Sequence, residues 1–166
     1  MGATRWLDDA EMRSWVSLIR ATRRLMSTLD AELQAGHGIS LGDYELLARL
    51  SESDGERLRM SDLAQRLSLS PSGLTRRMDG LVKAALVARQ RFPEDHRSAY
   101  AVMTAAGRTC LERAAPDHVA SVRRCYVDRF SHDELASLAA AFDTICAACD
   151  EEELGADQSS PVRAER

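Results

Sequence analysis

The spacing of apolar residues changes twice between residues 57 and 104, the stretch around which the rest of the chain is organised. Residues 61–67 (SDLAQRL) have apolar side chains three and four positions apart, which predicts a short helix with Ser61 as its N-cap. After a short turn, Ser70 and Pro71 predict a second helix, because serine caps helices well and proline fits the first helical position. The pattern therefore predicts two helices joined by a tight turn.

The second of these helices has two very different sides. One side carries four apolar residues, Leu74, Met78, Leu81 and Ala85. The opposite side carries small, hydroxylic and cationic residues, Ser72, Gly73, Arg76, Gly80 and Lys83. This arrangement predicts that the apolar side is buried and that the other side faces solvent. An exposed surface of small and cationic groups suits close approach to a polyanion.

Two runs of strand-like composition follow, residues 87–92 (VARQRF) and residues 98–103 (SAYAVM). The polar, turn-rich residues 93–97 (PEDHR) lie between them and predict a hairpin. Residues 58–60 (LRM) are long enough for a third short strand beside this hairpin. Helix, turn, helix and hairpin in this order predict a winged helix-turn-helix.

Longer helical patterns lie on both sides of this region. Residues 8–35 keep helical apolar spacing for several turns. Ser40 and Asp43 resemble a capping box at the start of the next helix. Thr104 and Ser131 are each placed to cap a helix beyond the hairpin. The apolar stripes of these flanking helices must be covered, by the chain itself or by a second copy.

The predicted fold is therefore mainly α with a small β-hairpin wing. Residues 37–104 form a winged helix-turn-helix domain. Residues 1–36 and 105–153 are expected to form a helical dimerisation region, with residues 6–33 and 119–149 as the dimer arms, because a two-fold dimer would place two recognition helices on one duplex. Residues 154–166 lack apolar periodicity and are predicted to be a disordered tail.

Charge is distributed unevenly along the chain. The 166 residues carry a formal net charge of −4. Between residues 70 and 97, six cationic and three acidic side chains give a local excess of +3. An acidic molecule with one basic surface attracts a polyanion at that surface and repels it elsewhere. The charge pattern favours an oriented contact with nucleic acid.

Other classes of protein receive less support. No stretch approaches the roughly 20 apolar residues of a membrane span, and the N-terminus lacks the pattern of a signal peptide, so the expected location is the cytoplasm. The four cysteines lie in apolar helical patterns and are predicted to be core residues, Cys110, Cys125, Cys146 and Cys149. No histidine or cysteine spacing predicts a metal site, and no cofactor is expected.

Two alternative functions are compatible with parts of the sequence. Cys146 and Cys149 could belong to a thiol-based enzyme or redox sensor, although no nucleophile and base pattern accompanies them. The basic hairpin could bind an acidic protein, which would make the chain a helical adaptor. An adaptor would not show the steep salt dependence of duplex-DNA binding. We expect no enzymatic activity.

Three motifs resemble the MarR-type transcriptional regulators: residues 70–81 (SPSGLTRRMDGL), residues 86–97 (LVARQRFPEDHR) and residues 103–108 (MTAAGR). The likeness extends from about Trp15 to Phe142. It implies a cytoplasmic homodimer, more often a repressor, whose terminal helices interlock. Such a dimer binds a pseudo-palindromic double-stranded DNA operator, because two-fold symmetry places two recognition helices about 34–36 Å apart. The family also implies release by a small aromatic or phenolic effector.

The second helix of the motif is expected to enter the major groove with its N-terminus first. The residues nearest the bases and phosphates would be Ser70, Ser72, Thr75 and Arg76. Arg76 is the best candidate for a bidentate contact with guanine, whereas Ser72 and Thr75 could contact either bases or phosphates. Four further cations are assigned to phosphates, Arg77, Lys83, Arg89 and Arg91.

The resemblance assigns Arg97, at the tip of the wing, to the minor groove. Asp95 cannot face phosphate favourably, so we expect it to orient arginines in the wing. Gly80 departs from the family, whose members often have a larger basic residue there. This glycine either permits close approach of DNA or reduces the number of phosphate contacts.

Trp15, Tyr44 and Met60 either line a small-molecule pocket, where the first long helix meets the winged domain, or pack in the core. An effector in such a pocket would alter the spacing of the two recognition helices. It would have to bind the two spacings with different affinities, since otherwise it would shift nothing.

Overall fold

The computed structural model describes residues 4–93 and 95–158, apart from the side chains of His96, Arg97 and residues 151–158. The chain divides into two compact units, residues 1–123 and 124–166. The helices and strands that begin in the first unit are α1 (Asp9–His37), α2 (Leu41–Ser51), β1 (Arg57–Arg59), α3 (Met60–Arg66), α4 (Pro71–Lys83), β2 (Val87–Phe92), β3 (Asp95–Met103) and α5 (Ala105–Cys125). The second unit contains the end of α5, a short 3-10 turn (Val127–Arg129) and α6 (His132–Gln158).

Side-chain caps fix where most of the helices begin. The Asp8 carboxylate accepts hydrogen bonds from the first turn of α1, and Ser40 caps α2 in a reciprocal pair with Asp43. The Ser70 hydroxyl accepts from the backbone of Gly73, with Pro71 in the first position of α4. These polar contacts satisfy backbone N–H groups that have no partner within the helix. The predicted starts of α2 and α4 are confirmed.

The three strands form one antiparallel sheet in the order β1-β3-β2. Arg57 pairs with Val102 and Arg59 pairs with Tyr100, so β1 lies along the later half of β3. On the other side, Arg89 pairs with Ala101, and the ladder becomes irregular between Gln90 and Phe92. The hairpin of β2 and β3, called the wing from here on, is confirmed, and so is the short third strand.

A core of leucines holds the wing against the helices. Its largest fully buried side chains come from three helices and one strand, Leu46, Leu47 and Leu50 of α2, Leu63 of α3, Leu74 and Met78 of α4, and Val87 of β2. Each such side chain contributes roughly 1.5–3 kcal/mol by leaving water. The buried side of α4 agrees with the predicted apolar stripe, which sets the direction in which its opposite side faces.

Two local predictions were wrong. Ser61 does not cap α3, because the helix begins at Met60 and the cap position falls on Arg59, whose side chain does not cap the helix. The Ser61 hydroxyl donates to Asp62 instead. Ala85 does not extend the buried stripe of α4, because the helix ends at Lys83 and the chain turns away with Ala85 at a φ of 57° and exposed to solvent.

A second, smaller core joins α1, α2 and the first part of α5. It consists of Leu33, Ile39 and Ala114, with Tyr44 packed against it. Polar contacts reinforce this junction, since His37 lies 3.0 Å from Asp117 and the Ser121 hydroxyl donates to Glu32. The amino-terminal half of α1 has no such cover, and its Trp15 is 53% exposed.

The apolar stripe of α6 is exposed in the single chain, with Phe142 and Ile145 among its members. The prediction that the cysteines are core residues is wrong for Cys146 and Cys149, which are exposed because no other element of their unit covers this stripe. Cys110 and Cys125 are half-buried. The helix also continues through Gln158, past the predicted end of the helical region at residue 153, and residues 159–166 of the predicted tail lie outside the described chain.

Candidate nucleic-acid interface

The exposed side of α4 is the centre of the candidate interface. Leu74 and Met78 are 1% and 0% exposed, so the helix is seated firmly on the core. Ser72, Arg76 and Lys83 are exposed on the outer side. Because the inner residues fix the rotation of the helix about its axis, the outer residues are presented in a fixed direction.

The hydroxyl groups at the start of α4 are already engaged within the helix. Ser70 accepts from the backbone N–H of Gly73 at 3.1 Å, and its oxygen lies 3.2 Å from the Ser72 hydroxyl. The Thr75 hydroxyl donates to the Pro71 carbonyl at 2.9 Å. Ser70 therefore serves the structure as a cap, and the Thr75 hydroxyl, which donates within the helix, keeps acceptor capacity on its oxygen.

Three of the predicted cations are free to bind an external anion. Arg76, Lys83 and Arg91 are exposed, and within the part of the chain that the structure describes none of them has an ion pair or side-chain hydrogen bond. An unpaired guanidinium keeps its full set of donors for a base edge or a phosphate. These three residues form the cationic part of the interface.

Arg77, which the sequence assigned to phosphate, is directed towards α2 instead. A Cβ atom added at Gly42 would lie 1.2 Å from the Arg77 Nη1 atom, so the guanidinium occupies the space beside this glycine. The side chain is half-buried as a result. A side chain at position 42 would displace the guanidinium, which is the flexible end of the Arg77 side chain.

Arg89 also makes its contacts within the molecule. Its Nη1 atom lies 2.8 Å from Asp79 Oδ1, and its Nη2 atom donates to the Thr75 carbonyl at 3.0 Å. Both acceptors belong to α4. The side chain therefore connects the wing to α4, where the sequence had assigned it to a phosphate.

Asp95 is the centre of a network near the tip of the wing, where β3 begins. Its carboxylate accepts hydrogen bonds from the Ser98 backbone and the Tyr100 hydroxyl, both at 3.2 Å, and pairs with Arg59 at 2.9 Å. Hydrogen bonding from Ser98 is the main cause that holds the pKa of Asp95 below its ordinary value, with Tyr100 and Arg59 adding to it against desolvation. The carboxylate pairs with an arginine, but this arginine lies on β1, whereas the prediction placed the arginines in the wing.

Sequence analysis missed the aromatic and basic side chains around this network. The Arg59 Nε atom donates to the Tyr100 hydroxyl at 2.9 Å, which is the main cause that raises the pKa of Arg59. The Arg57 guanidinium lies 4.2 Å from the centre of the Phe92 ring, and that ring meets Tyr100 edge to face. Only the register that pairs β1 with β3 could have shown that these residues meet.

The side chain of Arg97 lies outside the described part of the structure. The residue itself is within β3. Its assignment to the minor groove stays a prediction.

Trp15, Tyr44 and Met60 lie in three different environments. Trp15 is on an exposed groove of α1 with Arg20 and Arg23, about 27 Å along the helix from Leu33 at 1.5 Å per residue. Tyr44 packs near Leu33 and its ring lies 4.2 Å from that of His118, and burial raises the pKa of its hydroxyl. Met60 packs on the leucine core. The structure does not bring the three together in one pocket.

Other kinds of site find no support among the described residues. No group of three or more His, Cys, Asp or Glu side chains there could hold a metal ion. No described helix is both long and apolar enough to cross a membrane. Desolvation raises the pKa of the half-buried Cys110 thiol, which disfavours the reactive thiolate.

Comparison with known proteins gives a consistent result. A model of the MarR family matches residues 37–98. AbsC, a MarR family transcriptional regulator from Streptomyces coelicolor, has a solved structure that is 38% identical to this chain, with a TM-score of 0.86 over 89% of this chain and 99% of that one. This similarity extends over the terminal helices as well as the winged domain.

Two further relatives carry functional information in their names. Sco3205, a MarR family transcriptional regulator from Streptomyces coelicolor solved in complex with DNA, is 34% identical, with a TM-score of 0.85 over 88% of this chain and 91% of that one. The HTH-type transcriptional repressor YetL of Bacillus subtilis is 25% identical over 128 residues, which cover 77% of this chain and 75% of YetL.

Proposed function

This chain belongs to the MarR family of transcriptional regulators, and we propose that it is a homodimeric repressor that binds a pseudo-palindromic operator through α4 and the wing. The observation that carries the proposal is that Arg76 is exposed and unpaired among the described residues. It lies on the outer side of a helix whose inner side is fully buried. The function proposed is binding rather than catalysis, and the DNA complex of Sco3205 supports it.

In this proposal α4 enters the major groove. Arg76 makes a bidentate contact with a guanine, which contributes roughly 1–3 kcal/mol of discrimination against other bases. Ser72 and Thr75 lie on the same exposed surface and read neighbouring positions. Ser70 contributes the helix cap that it forms by accepting from Gly73, and its O–H group is still able to donate to a phosphate.

Affinity comes from the cations around α4. Lys83 and Arg91 bind phosphates, and Arg97 reaches the minor groove from the tip of the wing. Each neutralised phosphate releases condensed counterions, so the logarithm of the binding constant falls with the logarithm of salt concentration by about 0.9 per contact. This steep dependence distinguishes the proposal from a helical adaptor that binds an acidic protein.

Exposed apolar side chains support the dimer. The segment before α1 exposes Trp6 and Leu7, and the amino-terminal part of α1 exposes Met12 and Trp15. In the second unit, α6 exposes Phe142 and Ile145. Contiguous apolar surface of this kind is costly in water and is characteristic of an interface. A two-fold dimer also supplies the second α4 that an inverted repeat requires.

Repression and effector control complete the proposal. YetL is named as a repressor, and occupation of an operator by a dimer would block access to it. A small aromatic or phenolic effector would act by binding the DNA-free spacing of the two α4 helices more tightly than the DNA-bound spacing. A groove of about 470 Å³ lies between the end of α1 and the start of α5 and is lined by Thr109, Cys110 and Arg113. It has the size for a small aromatic effector, and Arg113 supplies a cation for an effector that carries a carboxylate.

Selection of bound duplexes from a random pool tests the proposal. Purified protein should enrich an inverted repeat whose half-site centres are about one helical turn apart, or a multiple of it. Repeating the binding with benzoate, salicylate and p-coumarate tests the effector. Recovery of no common sequence, together with binding that hardly changes with salt, would contradict the proposed function.

A further inference from the structure

The Arg89 side chain joins the wing to α4 at two points. Its two terminal nitrogens bind the Asp79 carboxylate and the Thr75 carbonyl, at 2.8 Å and 3.0 Å. Thr75 and Asp79 are one helical turn apart, so both acceptors lie on the same side of α4. The planar guanidinium presents donors in a fixed fork that matches two such acceptors. Arg89 itself lies in the paired part of the hairpin, opposite Ala101.

We propose that Arg89 and Asp79 are a positioning pair, which fixes the orientation of the wing relative to α4, and that Arg89 does not contact phosphate. The inference rests on the proposed DNA-binding function and extends it. The pair also explains why a carboxylate lies on a DNA-facing helix, since Asp79 holds Arg89 of the wing. Without Arg89 its charge would only repel the phosphates.

The pair matters for sequence preference because two parts of the molecule must fit one duplex. In the proposed complex α4 lies in the major groove while the wing tip reaches the neighbouring minor groove. The angle between α4 and the wing decides whether the base contacts of α4 and the minor-groove contacts of the wing form at the same time. A loosened wing therefore weakens binding to the correct sequence more than binding to random DNA, on which no base contact has to be aligned.

Asp79→Asn gives the sharpest test because the two possible roles of Arg89 predict different changes in DNA affinity. A positioning pair predicts a loss of preference for the selected duplex, whereas a phosphate contact predicts a gain in affinity for both duplexes. The variant is tested on a duplex selected by the wild-type protein and on a random-sequence duplex of equal length. If the pair positions the wing, the ratio of the two affinities falls by roughly five- to tenfold, the loss expected for a charge-assisted contact. If Arg89 is a phosphate contact, removal of the negative charge tightens binding to both duplexes, and the inference is overturned.

Arg89→Ala and Arg91→Ala compare a paired arginine with a free one on the same strand. Arg91→Ala should reduce the salt slope on random DNA by about 0.9, as expected for a lost phosphate contact. Arg89→Ala should keep the wild-type slope and reproduce the loss of preference seen with Asp79→Asn. The double variant Asp79→Asn/Arg89→Ala should be no worse than Arg89→Ala alone, because Arg89→Ala already removes the pair with Asp79 as well as the contact with Thr75. A loss of slope in Arg89→Ala would contradict the inference.

Asp54→Asn is the matched control for loss of a carboxylate. Asp54 is exposed, lies in the turn before β1, and has no ion pair or hydrogen bond recorded within the described residues. Its substitution should leave the ratio of affinities unchanged. A drop equal to that of Asp79→Asn would show a general effect of charge and overturn the assignment.

A measurement without DNA separates this inference from the proposed function. In the free protein, ¹⁵N relaxation of the arginine Nε groups should show Arg89 rigid and Arg91 mobile, with Arg89 becoming mobile in Asp79→Asn. If Arg89 is as mobile as Arg91 in the wild type, the positioning pair fails even if the protein binds an operator. If the wild type binds no duplex while Arg89 is rigid, the proposed function fails instead.

Discussion

The helix α4 and the amino-terminal half of α1 are both amphipathic, but their apolar sides have opposite environments. The apolar side of α4 is sealed in the leucine core, with Met78 fully buried. The apolar side chains of α1 near its start remain in solvent, where Trp15 is 53% exposed. The apolar side of α4 is therefore covered within one chain, whereas the apolar side of the amino-terminal half of α1 is not. The proposed function assigns DNA binding to the exposed side of α4 and contact with a second copy to the uncovered apolar side of α1.

Leu74→Ala tests whether α4 depends on the core within its own chain. The substitution should lower the free energy of unfolding by roughly 2–5 kcal/mol, because it removes a buried side chain and leaves a cavity. Urea denaturation followed by circular dichroism measures this loss. Val82→Ala on the exposed side of the same helix is the control and should change stability by less than about 0.5 kcal/mol. Equal effects of the two substitutions would refute the assigned orientation of α4.

Trp15→Ala tests whether the start of α1 depends on a second copy. A large aromatic side chain contributes roughly 1.5–3 kcal/mol when buried, so the dimer dissociation constant should rise by about tenfold or more. Sedimentation velocity over a range of concentrations measures this change. Ser14→Ala, at an exposed polar position one residue away, should leave the constant unchanged. An unaltered constant in Trp15→Ala would remove this part of α1 from the interface.

Gly80→Ala addresses the exposed side of α4 with a smaller effect. No atom outside the helix backbone lies within 4 Å of a Cβ added there. Alanine should therefore raise the free energy of unfolding by roughly 0.5–1 kcal/mol through helix propensity alone. If operator affinity falls at the same time, Gly80 permits close approach of DNA. If affinity is unchanged, glycine at this position only reduces the number of side-chain contacts.

His118 of α5 packs beside Tyr44, next to the smaller core, and its effect should be the smallest and confined to acid pH. Desolvation lowers the pKa of His118, although the charge of Glu45 opposes it, and the Nδ1 atom is buried without a hydrogen-bond partner. The unfolded chain binds this proton more readily, with an ordinary pKa of about 6.5, so stability should fall as pH drops below that value. Denaturation of the wild type and of His118→Gln at pH 7.5 and 5.5 measures the difference. A loss of equal size in both proteins would exclude His118 as its source.

The sequence was sufficient to predict how α4 is oriented. Its apolar residues have a helical period, and burial of Leu74, Met78 and Leu81 follows directly from that period. Pro71 and its serine cap fixed the start of the helix for equally local reasons. Local patterns of this kind survive folding because they do not depend on which distant residues become neighbours.

The sequence could not show in the same way which arginines are paired within the molecule and which are free. Arg76 and Arg77 are adjacent and chemically identical, yet only Arg77 is drawn inward by the space beside Gly42. Arg89 is paired because β2 passes alongside α4, and Arg59 meets Asp95 only through the register of β1 with β3. These contacts are tertiary, so composition and spacing place a basic surface correctly without showing which of its charges are free.

Binding of Arg76→Ala to the selected duplex tests the central claim most directly. Fluorescence anisotropy titration of the full-length wild type and of the variant, at one salt concentration, should show affinity at least tenfold weaker for the variant, within the roughly 1–3 kcal/mol of a guanine contact. The unfolding free energy should stay unchanged, since the side chain is exposed. An affinity equal to that of the wild type would show that α4 does not read the operator through Arg76.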